Sequence, residues 1–406
     1  MKECLICDES IQPFMSFGQM PIANGFLSPA QFAAEYFFDL QVAFCPKCGM
    51  VQLTDLVEPE KMFHENYAFY SSTSTRMATH FKRLADLVMA NYLEAADPFV
   101  VEIGSNDGIL LRHIASAGMR HLGIEPSGNV AQAARNQGVQ TISKFFSENV
   151  AREILAEYGQ ADVVLGANVM CHMPDLHSVM AGIKLLLKPG GVLIFEDPYL
   201  GEIVEKTAYD QIYDEHVFYF SVKSISYLAE QHGLEVVEVS PHHVHGGSMR
   251  YVMAHQGIRT ISATVEIQRG KEETLGLHQA ETYHQMRRNI EKSRHELRRL
   301  LHDLKQQGKR VVGYGATSKS TTVTNYCGIT SDLVEFISDT TPIKQGKYSP
   351  GAHIPVRPYQ EFVTNYPDYA LLFAWNHAAE IMAKEQDFRR AGGKWLVYVP
   401  KVGVLA

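Results

Sequence analysis

No stretch of 18 apolar residues occurs in this 406-residue chain, so no helix is expected to span a membrane. Positive charge is in deficit. Against 45 Asp and Glu stand 37 Lys and Arg, a formal net charge of −8. That is the wrong sign for non-specific nucleic-acid binding, which needs a basic footprint. Neither nucleic acid nor membrane is therefore an expected partner. Cysteine is scarce, and four of the six are spoken for by two CxxC knuckles. Cys171 and Cys327 are left as reduced thiols, not as the disulfide framework of a secreted protein. The opening Met1-Lys2-Glu3-Cys4 runs into the first knuckle rather than an apolar segment, so a cytoplasmic protein without a signal peptide is expected. GxGxxG is missing from both glycine turns of the chain, and proline is missing from 262 to 307.

The knuckles are Cys4 with Cys7 and Cys45 with Cys48. Two residues between thiolates let both sulfurs reach one tetrahedral ion, and two such pairs fill its four positions. A four-thiolate zinc is closed to water and substrate, so its role is structural. The run between the knuckles is too short for a useful core, so the metal is expected to supply much of the folding free energy there. A polar, aromatic link follows: Asn66, Tyr67, Phe69, Tyr70 and Ser71 to Ser74.

Beyond the link, short apolar runs alternate with helical segments. Phe99–Ile103, His121–Ile124, Ala161–Leu165 and Gly191–Phe195 read as strands of a mostly parallel, doubly wound sheet. From 262 to 307 the chain is charged. Met286, Ile290, Leu297, Leu300, Leu301 and Leu304 lie on one face of a helix that should act as a connector. A second strand–glycine turn, Val311 to Ala316, then opens a smaller α/β unit, with Val334–Asp339, Leu371–Trp375 and Trp395–Val399 as further strands.

The first turn, Glu102-Ile103-Gly104-Ser105-Asn106-Asp107-Gly108, follows a buried strand. Glycine lets backbone approach a ligand closely there. Glu125, at the end of the next strand, can accept bonds from two ribose hydroxyls. This pair fits S-adenosylmethionine as well as NAD. Phe145 and Phe146 can cover an adenine, and Ala167-Asn168 can meet the methionine end, which favours the methyl donor. Leu187 to Gly191 resembles the same segment of class I methyltransferases. Tyr213-Asp214-Glu215-His216 follows the fifth strand, where a methyl acceptor would sit. His216 titrates near neutrality and suits a general base, with Glu215 or Asp214 to orient its ring. An acidic helix start is the alternative reading of that tetrad. His172 falls near the donor's reactive edge. His242, His243 and His245 do not share one direction, so no second metal is expected. Gly313 to Lys319, with hydroxyls at Ser320, Thr321 and Thr322, reads as a diphosphate cradle at a helix N-terminus.

The whole chain resembles the bacterial sugar C-methyltransferases that build branched deoxysugars. The resemblance rests on the four-cysteine module, on Val101 to Gly108, and on Gly313 to Lys319 with Asn325-Tyr326-Cys327-Gly328. Thr317-Ser318 is a departure, where relatives often carry alanine or proline. The resemblance implies an α/β chain in four parts. These are a small zinc-binding module (1–65), a class I methyltransferase Rossmann-like domain (66–255), a helical connector (256–305) and a smaller C-terminal Rossmann-like domain (306–406). It implies S-adenosylmethionine and zinc as cofactors, with Glu102, Gly104, Asn106, Asp107, Glu125, Phe145, Ala167 and Asn168 at the donor. It implies a substrate-binding set of Gly315, Lys319, Asp339, Asn376 and His377 for a nucleotide-linked 4-keto-deoxysugar, expected to be dTDP-linked and methylated at carbon 3. Tyr67, His172, Tyr213, Glu215 and His216 are the implied catalytic set. His216 would remove the proton next to the ketone, and Tyr213 or His172 would stabilise the enolate oxygen. A monomer is expected. The rival readings are an NAD-dependent oxidoreductase and a zinc-ribbon adaptor.

Overall fold

The computed structural model describes residues 2–65, 67, 70–73 and 75–405. Of the expected link, Asn66, Phe69 and Ser74 lie outside the described residues. Near the N-terminus, β1 (Pro13–Pro21), β2 (Phe37–Phe44) and β3 (Val51–Leu53) form an antiparallel sheet. Two helices and a strand then open the middle of the chain: α1 (Thr75–Tyr92), β4 (Phe99–Ile103) and α2 (Leu111–Ser116). They are followed by β5 (Arg120–Ile124), α3 (Gly128–Asn136), β6 (Thr141–Ile142) and α4 (Glu148–Tyr158). Next come β7 (Ala161–Ala167), α5 (Leu176–Leu186) and β8 (Leu187–Pro198). The helix starts are set locally. Ser147 caps α4 by accepting from Val150 N–H, and Asp175 caps α5 by accepting from Ser178 N–H.

After β8 a two-residue strand, β9 (Phe218–Tyr219), leaves this layer and pairs with β3. The chain returns through α6 (Val222–Gln231), β10 (Leu234–His242) and β11 (Ser248–His255). The central sheet has the order β10-β11-β8-β7-β4-β5-β6, with β11 antiparallel to both neighbours and the other described pairs parallel. From β4 the chain winds outward to β6, then crosses back to β7 and β8. The crevice at this reversal, outside the carboxyl ends of β4 and β7, is where such sheets bind ligands.

The charged stretch divides at Gly276, whose φ of +66° suits glycine. Its first half, α7 (Ala263–Thr274), is not a connector. Val265 enters the central core, and Ser262 and Thr264 bond to the backbone of β10. The second half, α8 (Ala280–Gln306), buries Tyr283, Met286, Ile290, Ser293, Leu297, Leu301 and Leu304. Leu300, expected on that face, is only partly covered. The last unit contains β12 (Val311–Tyr314), α9 (Ser318–Cys327), β13 (Ile337–Asp339), β14 (Val356–Pro358), β15 (Tyr369–Leu372), β16 (Lys394–Val397) and β17 (Gly403–Leu405). Its order is β14-β13-β12-β15-β16-β17, with a second reversal between β12 and β15. Among the described residues no helix is long and apolar enough to cross a membrane.

The N-terminal sheet joins a core larger than its own length suggested. Phe14 and Phe44 pack on Tyr283 of α8, with ring centroids 5.2 and 4.4 Å apart. Phe17 meets Tyr326 of α9 edge-on at 5.0 Å. Each buried ring contributes roughly 1.5–3 kcal/mol, and one core is shared by the N-terminal sheet, α8 and the C-terminal unit.

Candidate functional site

The four knuckle cysteines lie together, their sulfurs within 4.8 Å of one another. Cys4 and Cys48 are 3.5 Å apart, as are Cys7 and Cys45. A tetrahedral zinc with bonds of about 2.3 Å sets its sulfurs about 3.8 Å apart, so the set fits zinc and not disulfides. Asp8 and Gly49, each next after a knuckle's second cysteine, take positive φ and turn the chain back over the sulfurs. Hydrogen bonds from Cys4 and Cys48 pull the Cys45 thiol below its ordinary range, toward the thiolate a metal needs.

The first glycine turn sits at the reversal of the central sheet. A Cβ on Gly104 would lie 2.5 Å from Val169 Cγ2, so the turn and the segment just after β7 approach as only glycine allows. Glu125 closes the turn: Oε2 accepts from Asn106 N–H at 3.1 Å, and Oε1 accepts from Ser127 N–H at 2.8 Å. Glu102 is buried, and desolvation, then Asp107 and Glu125, hold its carboxyl well above the usual range. Glu102 Oε2, Asp107 Oδ1 and Asn168 Oδ1 are buried without a hydrogen-bond partner among the described residues. Three acids and three unmet acceptors suit a cationic, donor-bearing ligand, and S-adenosylmethionine carries both an ammonium and a sulfonium. Asn106 Oδ1 and Asp107 Oδ2 also receive the backbone N–H groups of Ser71 and Ser72, which ties the link across the turn. Ala167 ends β7 and Asn168 follows at φ +52°. Phe145 is exposed and free to cover a ring, whereas Phe146 belongs to the core.

Asp214, Glu215 and His216 lie buried and Tyr213 half-buried where the units meet. His216 Nδ1 is 2.8 Å from Gln211 O, a group that only accepts, so Nδ1 carries the proton. Nε2 is then the acceptor for Tyr213 O–H at 2.7 Å. Burial, reinforced by His172, holds His216 well below the ordinary imidazole range. Burial thus favours the neutral ring, the form a general base needs. His172 stacks beside it at 5.2 Å, its Nε2 without a partner among the described residues, and burial lowers it to about 4. The expected orienting role of the two acids is corrected. Asp214 Oδ1 accepts from Ala23 N–H at 3.0 Å, and Glu215 Oε1 accepts from Asn24 Nδ2 at 2.7 Å. Tyr67 O–H lies 3.5 Å from Glu215 Oε2. Thr321 O–H in turn donates to Ala23 O at 2.8 Å, and Thr322 O–H to Ile212 O at 2.9 Å. Residues from all three units thus close on the tetrad.

At the second reversal, Asp339 repeats the arrangement of Glu125. Its Oδ2 accepts from Ala316 N–H and its Oδ1 from Thr341 N–H, both at 2.7 Å. Gly315 takes φ +90° in this turn. Thr317 and Ser320 cap each other's amides at the start of α9. Of the expected diphosphate cradle, the amides of Ala316, Thr317 and Ser320 are met from within the chain. Lys319 Nζ is 3.4 Å from Asn376 Oδ1 and 5.2 Å from the Trp375 ring centroid. Asp210, which the sequence reading missed, holds Trp375 Nε1 at 2.6 Å and Tyr398 O–H at 2.8 Å. His377 is partly buried beside them. Lys344, also missed, donates to Ala316 O at 2.8 Å and is attracted by Glu215. No sequence spacing links Asp210, Lys344, Asn24 or Gln211 to the site.

Three family models match the chain: "Putative zinc binding domain" over residues 4–63, "Methyltransferase domain" over 75–239, and "C-methyltransferase C-terminal domain" over 243–400. The chain is 35% identical over 407 residues to the C-methyltransferase NovU of Streptomyces niveus, covering 100% of this chain and 97% of that protein. It is 28% identical over 160 residues to the ubiquinone biosynthesis O-methyltransferase of Colwellia psychrerythraea, covering 36% of this chain and 65% of that one. A solved S-adenosylmethionine-dependent methyltransferase from Clostridium acetobutylicum is 12% identical, with a TM-score of 0.35, over 44% of this chain and 92% of that chain.

Proposed function

This chain belongs to the sugar C-methyltransferase family and is an S-adenosylmethionine-dependent C-methyltransferase; on that premise we propose that it methylates a nucleotide-linked 4-keto-deoxysugar at carbon 3. The observation that carries the reading is the Tyr213–His216 pair, at 2.7 Å, where residues of three units meet.

S-adenosylmethionine, when bound at Glu102, Asp107, Glu125 and Asn168, supplies an electrophilic methyl group. The 4-keto group acidifies the neighbouring C–H, and His216 Nε2, neutral and backed by Gln211 O, takes that proton. Tyr213 has one hydroxyl hydrogen and two prospective acceptors. It rests on Nε2 and turns to the ketone oxygen as negative charge develops there, which frees the lone pair that the base needs. His172, neutral with Nε2 unpaired, is a second donor for that oxygen. Glu215 and Tyr67 hold the wall opposite. Lys319, Asn376, His377 and Asp339 grip the nucleotide from the C-terminal unit, and holding both substrates in one cleft supplies orientation. The units so used run over about 1–65, 66–255 and 306–406, with α8 bracing the N- and C-terminal ones. Mass spectrometry after mixing the enzyme with S-adenosylmethionine and a panel of nucleotide 4-ketosugars tests the reading. A mass gain of one methylene on the sugar is expected. Methylation only of substrates lacking the ketone would overturn it.

A further inference from the structure

At the carboxyl end of the central sheet, beside the seam with the C-terminal unit, lies a cavity of about 340 Å³. Arg76, Thr79, His80 and Arg83 line it from one face of α1, spaced three or four residues apart, and His242, His243 and Val244 close it from the end of β10. The lining contains two guanidinium groups, three imidazoles and no carboxylate. Glu196, the acid beneath, is already engaged: Oε1 accepts from Arg250 Nε at 2.6 Å, and Oε2 lies 2.6 Å from His80 Nε2. Arg83 has no hydrogen-bond or ion-pair partner among the described residues. Arg76 donates to His243 O at 3.2 Å and to Asn376 O at 3.5 Å, so it borders the residues given above to the nucleotide.

A basin with two guanidinium groups, one of them unpaired, and no carboxylate in its lining fits an oxyanion of high charge. In the turn before α9, which the sequence suggested for that task, Asp339 takes the Ala316 amide and the capping box takes those of Thr317 and Ser320. His245, buried between the two places, interacts electrostatically with Lys319 and His377 on one side and His80 on the other, and with His216. We propose that the diphosphate of the substrate binds in the basin formed by Arg76, Arg83, His80 and His243, on the methyltransferase unit, while the C-terminal unit holds the nucleoside. This rests on the nucleotide-sugar reading and adds where the phosphate charge goes.

Calorimetry on the full chain with thymidine diphosphate, guanosine diphosphate, thymidine and inorganic pyrophosphate tests it, using the wild type, Arg83→Gln and Arg83→Glu. Arg83 is exposed and makes no hydrogen bond or ion pair among the described residues, so the fold should persist, and unchanged binding of S-adenosylhomocysteine checks that. The expected result is a loss of about tenfold or more in nucleoside diphosphate and pyrophosphate affinity for Arg83→Gln, with a larger loss for Arg83→Glu and none for thymidine. Diphosphate affinities equal in all three proteins, or no diphosphate binding by the wild type, would overturn the proposal. Pyrophosphate binding that needs Arg83, with neither nucleoside diphosphate bound more tightly than pyrophosphate, would uphold the basin and overturn the nucleotide-sugar reading instead.

Discussion

Replacing His216 by alanine should leave both ligands bound and stop the reaction at its first step. The imidazole is held by Gln211 O at 2.8 Å and Tyr213 O–H at 2.7 Å, and neither bond reaches the glycine turn that holds the donor. Losing a positioned general base costs two to four powers of ten in rate, about 2.7–5.5 kcal/mol of barrier. Ligand affinity should move little, because the base acts in the transition state. The decisive assay is isotopic. Given the 4-ketosugar in deuterium oxide without donor, the wild type should exchange the proton beside the carbonyl, and His216→Ala should not. Exchange retained with methyl transfer lost would refute the assignment and move the base to His172 or Glu215. The pH profile gives a second arm. A base must be neutral to act, and burial holds His216 well below the ordinary imidazole range. Activity should therefore fall only when pH drops well below 6.5, the unperturbed histidine value. An acid limb at 6.5 belonging to this group would contradict a buried, neutral ring.

Glu125→Ala should weaken S-adenosylmethionine by about 1.5–3 kcal/mol in calorimetry; unchanged affinity would place the ribose elsewhere. Metal analysis should find one zinc per chain, and Cys45→Ser should lose it and expose residues 1–60 to protease; an intact, zinc-free native protein would refute the site. Tyr283→Ala should cost about 3–5 kcal/mol in denaturant unfolding, and hydrogen exchange should loosen β1, β2 and α9 together; loosening of α8 alone would disprove a shared core. His172 is unprotonated in the fold down to about 4, against an unperturbed 6.5. The unfolded chain thus binds the extra proton between those values, and stability should rise with pH across that window, by roughly 3 kcal/mol from this ring. His172→Phe should flatten that part of a melting-temperature profile, and an unchanged slope would refute the burial effect.

Some of this protein was legible in the order of its residues. The two CxxC pairs, Gly104 followed by Glu125, and Tyr213 with His216 express chemistry that depends on close chain spacing. A turn, a cap or a pair of thiolates is decided within a few residues, and the strand and helix periods follow the same local rules. Other features arose only from packing. Glu215 could be read as the partner of its neighbour His216, yet its carboxylate turns to Asn24, 191 residues away. The imidazole takes a backbone carbonyl instead, and burial lowers its basicity. The hydroxyls of Thr321 and Thr322 looked like phosphate ligands, but they donate to Ala23 O and Ile212 O, 298 and 110 residues away. The zinc module looked too small to hold itself, and Tyr283, far along the chain, completes its core. A buried polar or apolar group must find its partner wherever the fold brings one within reach. That choice is made by the juxtaposition of distant segments, which local spacing does not encode.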